Sequence, residues 1–361
     1  MLYHSTRSSA EKVGFFEAFA NGLAPDGGLY LPGELPGLPE AMLNPAAEYP
    51  YPNLAADFFG LFDTDHEPEV IRDLVVDSHR LFADPPNAAP LKQLDERLFV
   101  LELFHGPTLA FKDFGLQIVG SLFADQIQRT GKPINVLGAT SGDTGSAAIH
   151  GLANQPGVNA FILYPKGRIS PLQERQMTCT GAPNIFPISI EGSFDDAQKI
   201  VKDLFGDLEF KAGVGLSAIN SINLARVLAQ CIYYLHAWRS LPNAARSDVT
   251  FNVPTGNFGN IFAGWLISKM GLPVRRFRIA TNQNDILYRL FTTGEYAPGG
   301  VDPSFAPSMD IQVASNFERF LFYALDGDAS RVATMMGELK ETGSGEDRRL
   351  RSGHVHSEPD R

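Results

Sequence analysis

Four short segments of this 361-residue chain bring together residue types that could do chemistry. The first is HGPTLAFKDFG (105–115), with Lys112 at the start of a helical pattern and Phe111 and Phe114 beside it. A lysine held there in a crevice loses hydration and meets the positive end of a helix. Both effects favour the neutral amine that Schiff-base chemistry needs. Asp113 is expected to pull the other way, so the sign of the shift stays open, and the plain alternative is a solvated surface lysine. The second segment is GATSGDTGSAA (138–148). Small residues such as Gly142 let the backbone approach a ligand. Its N–H groups and the hydroxyls of Thr140, Ser141, Thr144 and Ser146, beside Asp143, suit a carboxylate or a phosphate. It lacks the Gly-Lys-Ser/Thr ending of a P-loop and the G-x-S-x-G of a hydrolase, and alone it equally reads as a glycine-rich turn.

The third segment is VPTGNFGN (253–260), where Gly256 and Gly259 permit an anion nest before a helix. The full dinucleotide fingerprint is absent, and a plain turn is again the alternative. The fourth is NSINLARVLAQ (220–230), with Asn220, Ser221 and Asn223 at a helix start and Arg226 about one and a half turns on. Such a set can grip a phosphate through charge-assisted hydrogen bonds. Equally, it can be an ordinary N-cap followed by a surface arginine.

These segments need elements to place them. The first ninety or so residues, rich in Pro, Gly and aromatics, read as turns and extended pieces with short helices at 11–21 and 66–83. RLFVLELF (97–104) reads as a buried strand, and 111–128 carries apolar residues at helical spacing. From there strands at 134–139, 159–165, 184–190, 248–254 and 277–282 alternate with helices at 146–154, 170–180, 193–205, 220–241 and 261–271. That alternation implies an α/β fold with open, mostly parallel sheets, whose ligands bind where strands end and helices begin.

Composition narrows the class. Apolar residues make up 44% and charged residues 20%, as in ordinary globular proteins. The net charge of −11, with no basic cluster, argues against nucleic acid or an anionic membrane as partner. Cys179 and Cys231 form no metal-type pair or disulfide framework; each is expected to be a buried small residue in a reducing compartment. The N-terminus carries no signal-peptide pattern and no apolar run is long enough to span a bilayer, so the reading is a cytoplasmic protein.

In this order, HGPTLAFKDF (105–114), TSGDTGSAA (140–148), NSINLAR (220–226) and PTGNFGN (254–260) resemble the threonine synthases. YHSTR (3–7) and GLAPDGGLY (22–30) strengthen the resemblance, which runs from residue 3 to about 340. It implies the tryptophan-synthase-β-like fold of pyridoxal-phosphate enzymes: two lobes of open twisted parallel sheet with helices on both faces. The implied division is an N-terminal region (1–95), a larger cofactor-binding lobe (96–130 with 216–341) and a smaller substrate-loop lobe (131–215). It also implies a carbon–oxygen lyase that turns O-phospho-L-homoserine and water into L-threonine and phosphate. Lys112 is similar to the lysine that holds pyridoxal 5'-phosphate as an aldimine and then acts as general base. Phe111 is similar to the residue stacked on the pyridine ring. Gly256, Asn257, Phe258, Gly259 and Asn260 resemble the cofactor-phosphate loop. Thr140, Ser141, Gly142, Asp143 and Thr144 resemble the substrate-carboxylate loop, and Asn220, Ser221 and Arg226 the ligands of the substrate phosphate. Many relatives carry Asn where this chain has Asp143.

The region 342–361, with only Leu350 and Val355 as aliphatic anchors, is expected to be disordered. No counterpart of the family's closing segment is found there, which leads to an expectation of a truncated or altered tail and a loosely held cofactor. Two other functions stay open: a related pyridoxal-phosphate lyase or dehydratase acting on a phosphorylated or hydroxy amino acid, and a non-catalytic remnant.

Overall fold

The computed structural model describes residues 1–63, 65–346 and 355–359. The chain forms two compact units. The first comprises Met1–Ala18, Leu23–Ala47 and Tyr233–Arg361; the second comprises Phe19–Gly22 and Glu48–Ile232.

The second unit is built on a four-stranded parallel sheet in the spatial order Ile185–Ile190, Val158–Pro165, Ile134–Ala139, Leu216–Ala218. The helices Asp143–Leu152, Pro171–Thr178 and Phe194–Gly206 alternate with its strands, as the sequence pattern requires of a parallel sheet. The helix Asp113–Thr130 lies against Asp143–Leu152 with no side chain at the crossing. A Cβ on Gly120 would stand 1.9 Å from the carbonyl oxygen of Gly151, and one on Gly151 would stand 2.4 Å from that of Leu116. This backbone contact joins Asp113–Thr130 to Asp143–Leu152 within the second unit.

The first unit contains a three-stranded parallel sheet in the order Val355–Pro359, Arg276–Thr281, Thr250–Pro254. The helix Gly259–Lys269 follows the last of these strands in sequence and buries Ile261, Phe262, Trp265, Leu266 and Ile267. A short antiparallel pair, Tyr3–Ser5 with Tyr30–Pro32, belongs to the same unit. There Arg7 forms a bidentate ion pair with the buried Glu318, at 2.8 Å through both Nε and Nη2.

Three expectations are corrected. The segment 97–104 is not a buried strand. Only Phe99–Leu101 is extended, in an antiparallel hairpin with Leu91–Gln93, and Leu98, Val100 and Phe104 are 40–50% exposed. Cys179 is exposed while Cys231 is buried, and both are free thiols. Within the tail, the helix Ala329–Thr342 runs to the point where disorder was expected to begin. Val355–Pro359 then forms a strand, in register from Phe277↔Val355 to Thr281↔Pro359. Strand pairing is made by backbone groups, so it does not need the aliphatic anchors whose scarcity prompted the expectation. The rest of that expectation, at 347–354 and 360–361, lies outside the described residues. Among the described residues, no helix is long and apolar enough to cross a membrane.

Candidate active site

Lys112 is the residue immediately before the helix Asp113–Thr130, at the end of a run of turns rather than at the end of a strand. Asp113 does not face it. The Asp113 carboxylate is fully buried and accepts from the Thr108 backbone N–H at 2.9 Å and the Thr108 hydroxyl at 2.7 Å. The anion that meets the lysine is Asp143, whose Oδ2 accepts from Lys112 Nζ at 3.2 Å. Burial lowers the Lys112 pKa below the ordinary lysine value; Asp143 opposes this and the positive charge of Arg226 adds to it. The sign left open in the sequence is therefore downward. Phe111 is half-buried, and its ring centroid lies 5.8 Å from Lys112 Nζ.

Asp143 opens the helix Asp143–Leu152, so the loop proper is only 140–142. The helix begins earlier than expected because Thr140 organises its first turn. The Thr140 Oγ1 accepts from the N–H of Gly142 at 3.0 Å and of Gly145 at 2.8 Å, and donates to the Gly142 carbonyl at 3.2 Å. That hydroxyl is engaged in holding the loop. Ser141 is exposed and Thr144 half-buried at the same turn, while the Ser146 hydroxyl bonds the carbonyls of Gly142 and Gln173.

Arg226 is not a surface arginine. The helix starts at Leu224, so Arg226 lies in its first turn, with its N–H capped by Asn223 Oδ1 at 3.4 Å. The side chain is 2% exposed. One guanidinium N–H donates to the carbonyl of Asn220, and Nε has no hydrogen-bond partner. Burial pulls its pKa down to about 10. Among the described residues no carboxylate pairs with it in an ion pair. A buried cation without an anion costs several kcal/mol, so such a group marks a place for one. Gly115 of the lysine helix brings the two together: a Cβ there would stand 3.0 Å from Arg226 Cα. Asn220 and Ser221 are half-buried beside it, and Asn220 Oδ1 accepts from the Ile222 N–H at 3.1 Å.

In the first unit, residues 255–258 connect the strand Thr250–Pro254 to the helix Gly259–Lys269. Phe258 is left-handed, with φ 63°, and its ring is 1% exposed among Phe291, Phe317 and Phe320. The ring is thus core, and what Phe258 offers a ligand is its backbone. Gly256 lies where a Cβ would stand 2.8 Å from Ile311 Cγ1. The Asn257 carbonyl accepts from the Asn316 N–H at 3.0 Å, and Asn260 Oδ1 accepts from the hydroxyls of Tyr233 and Tyr234. The first N–H groups of the helix at Gly259 have no intrahelical acceptor, which suits an anion.

Sequence reasoning missed several residues that build these features. Thr108 turns Asp113 away from the lysine, and Gln173 donates its amide to Asp143. Tyr233 and Tyr234 fix Asn260. Thr108 lies only five residues from Asp113, inside the segment already singled out, whereas Gln173, Tyr233 and Tyr234 act on residues distant in the chain and have no local signature.

The chain is similar to known proteins over most of its length. A family model for pyridoxal-phosphate dependent enzymes matches residues 84–337, and one for the threonine synthase N terminus matches 2–79. The chain is 45% identical to the threonine synthase of Pseudomonas aeruginosa, over 95% of this chain and 73% of that protein. It is also 45% identical to that of Schizosaccharomyces pombe, over 89% of this chain and 66% of that protein. Among solved structures, the pyridoxal-phosphate-bound threonine synthase of Brucella melitensis superimposes with a TM-score of 0.93 at 42% identity, covering 99% of this chain and 78% of that one. The yeast enzyme gives 0.92 at 42% identity, covering 99% and 76%. The chain thus spans about two thirds to three quarters of the length of these relatives. The residues fit the cofactor: it needs an amine that loses its proton readily, as burial makes Lys112 do, and N–H groups without an intrahelical acceptor, as at the start of the helix Gly259–Lys269.

Proposed function

The chain belongs to the threonine synthase family of pyridoxal-phosphate-dependent lyases, and from that membership we propose that it converts O-phospho-L-homoserine and water to L-threonine and phosphate. The observation that carries the proposal is Arg226, a buried guanidinium with an unused Nε and, among the described residues, no carboxylate in an ion pair with it. A phosphorylated substrate brings a second anion besides its carboxylate; a hydroxy amino acid brings the carboxylate alone. This separates the reading from that of a dehydratase.

When bound, the cofactor supplies an electron sink for the bonds broken at the substrate carbons. The chain's own groups do the rest. Lys112 Nζ takes up and returns protons, and its lowered pKa raises the fraction of neutral amine available to do so. Asp143 Oδ2 steadies that amine through their 3.2 Å contact. Arg226, with Asn220 and Ser221, holds the substrate phosphate until it leaves. Thr140 shapes the turn in which Ser141, Gly142 and Thr144 receive the substrate carboxylate. Phe111 would cover the cofactor ring, and the backbone N–H groups of 256–260 would hold its phosphate. Cys179 and Cys231, neither of them in a disulfide, fit the reducing cytoplasm as the place of this activity.

The test is to load the full chain with pyridoxal phosphate, supply O-phospho-L-homoserine, and measure phosphate and threonine together. Equal amounts of both are expected. Lys112→Ala should abolish turnover. Arg226→Leu should weaken phosphohomoserine binding by about 2–5 kcal/mol, with cofactor affinity retained. Keto-acid formation from threonine or serine without phosphate release, or an unchanged KM in Arg226→Leu, would refute the assignment.

A further inference from the structure

The helix Pro171–Thr178 touches both the lysine loop and the carboxylate loop. Its N-cap is sound: Pro171 occupies the first position, and Ser170 Oγ accepts from the Gln173 N–H at 3.2 Å. From that start two side chains one turn apart reach out. Gln176 donates to the carbonyl of Thr108 at 3.1 Å. Gln173 donates its amide to Oδ1 of Asp143. On the same helix Met177 packs over Gly145, where a Cβ would stand 2.8 Å from its sulfur.

The loop is built around Gln173. Gly142 adopts φ 136°, a conformation that side chains rarely take, and a Cβ on it would stand 2.1 Å from Gln173 Oε1. The Gln173 carbonyl in turn accepts from the Ser146 hydroxyl at 3.2 Å. The amide is thus held against the carboxylate from both its backbone and its surroundings.

We propose that Gln173 is a positioning residue for the reaction: by donating to Oδ1 of Asp143, it turns the other carboxylate oxygen onto the amine of Lys112. The charged groups that act on that amine are Asp143 and Arg226; Asp113, although next in sequence, is bound to Thr108. Gln173 therefore acts on the lysine through Asp143. Without it, the carboxylate loses the donor on Oδ1, its hold on the ammonium loosens, and burial and Arg226 act with less opposition. The amine then titrates at lower pH. This inference rests on the reading of Lys112 as the reactive lysine.

The experiment measures the pH dependence of the rate at which the full chain, freed of cofactor, takes up pyridoxal phosphate. Visible absorbance follows the uptake and borohydride fixes the modified peptide. In Gln173→Met, of similar size but without a donor, the midpoint should move to lower pH, and kcat should fall more than KM rises. In an Asp143→Asn background the same substitution should leave the midpoint where it was. A midpoint unmoved by Gln173→Met, or moved equally in both backgrounds, would overturn the proposal. Modification at a peptide other than the one holding Lys112 would instead overturn the reading on which it rests.

Discussion

Two loops in this protein make the same connection by opposite means. Residues 140–142 and 255–258 each lead from a parallel strand into a helix. The first is tied by polar side chains: the Thr140 hydroxyl bonds two N–H groups and a carbonyl, and Gln173 and Lys112 meet at Asp143. The second is tied by packing, with the ring of the left-handed Phe258 driven into an aromatic core. A loop fastened by side chains can hold charge and respond to it. A loop fastened by a buried ring leaves its N–H groups to a ligand and is indifferent to pH.

The largest expected effect tests the packed loop. Phe258→Ala removes a fully buried ring from contact with three others and should cost about 3–5 kcal/mol in urea unfolding. The polar counterpart, Thr140→Val, leaves two N–H groups without their acceptor, a loss of about 1–3 kcal/mol, but should reduce turnover more than stability. If the two variants lost stability equally, the contrast between the loops would be broken. Gly142→Ala comes next. Its φ of 136° and the nearby Gln173 Oε1 make the methyl group cost about 1–3 kcal/mol, a loss of stability that Gln173→Ala should partly relieve.

The smallest effect is one of pH. His66, in the second unit, bridges Asp63 at 2.7 Å and Asp125 at 2.8 Å. The hydrogen bond to Asp63, then that to Asp125, raises its pKa against the opposing effect of burial. A raised histidine pKa adds stability that is complete below its ordinary value of about 6.5 and is lost as pH rises through the folded value. The unfolding midpoint of the second unit should therefore fall as pH rises from about 6.5, and in His66→Gln it should stay level. Trp238 and Trp265 both lie in the first unit, so their fluorescence provides the pH-insensitive reference.

Much of this was legible in the sequence, for identifiable reasons. Strand and helix alternation is written in residue periodicity, so Ile134–Ala139 emerged with its observed bounds. Lys112 was legible because its neighbours are aromatic and its helix strongly periodic. The partner of Lys112 was not. Sequence adjacency pointed to Asp113, yet Thr108 takes that carboxylate, and Asp143 arrives from 31 residues away. The resemblance places Phe258 in a cofactor-phosphate loop, and only the fold shows its ring among Phe291, Phe317 and Phe320. The burial of Arg226 was hidden for a similar reason: the helix it packs against is contributed by Gly115, far upstream.

The bare crossing of the helices Asp113–Thr130 and Asp143–Leu152 has a mechanical consequence. Lys112 stands eight residues from Gly120, and Asp143 eight residues from Gly151, so each arm from the crossing is about 12 Å long. The two helices form a pair of shears of equal reach, with backbone against backbone as the rivet and the amine and carboxylate at the tips. A rotation of about 5° at the rivet moves a tip by roughly 1 Å over such an arm, enough to make or break the contact between them. A methyl group at either glycine would force the blades apart at the rivet and be felt at the tips, two turns of helix away.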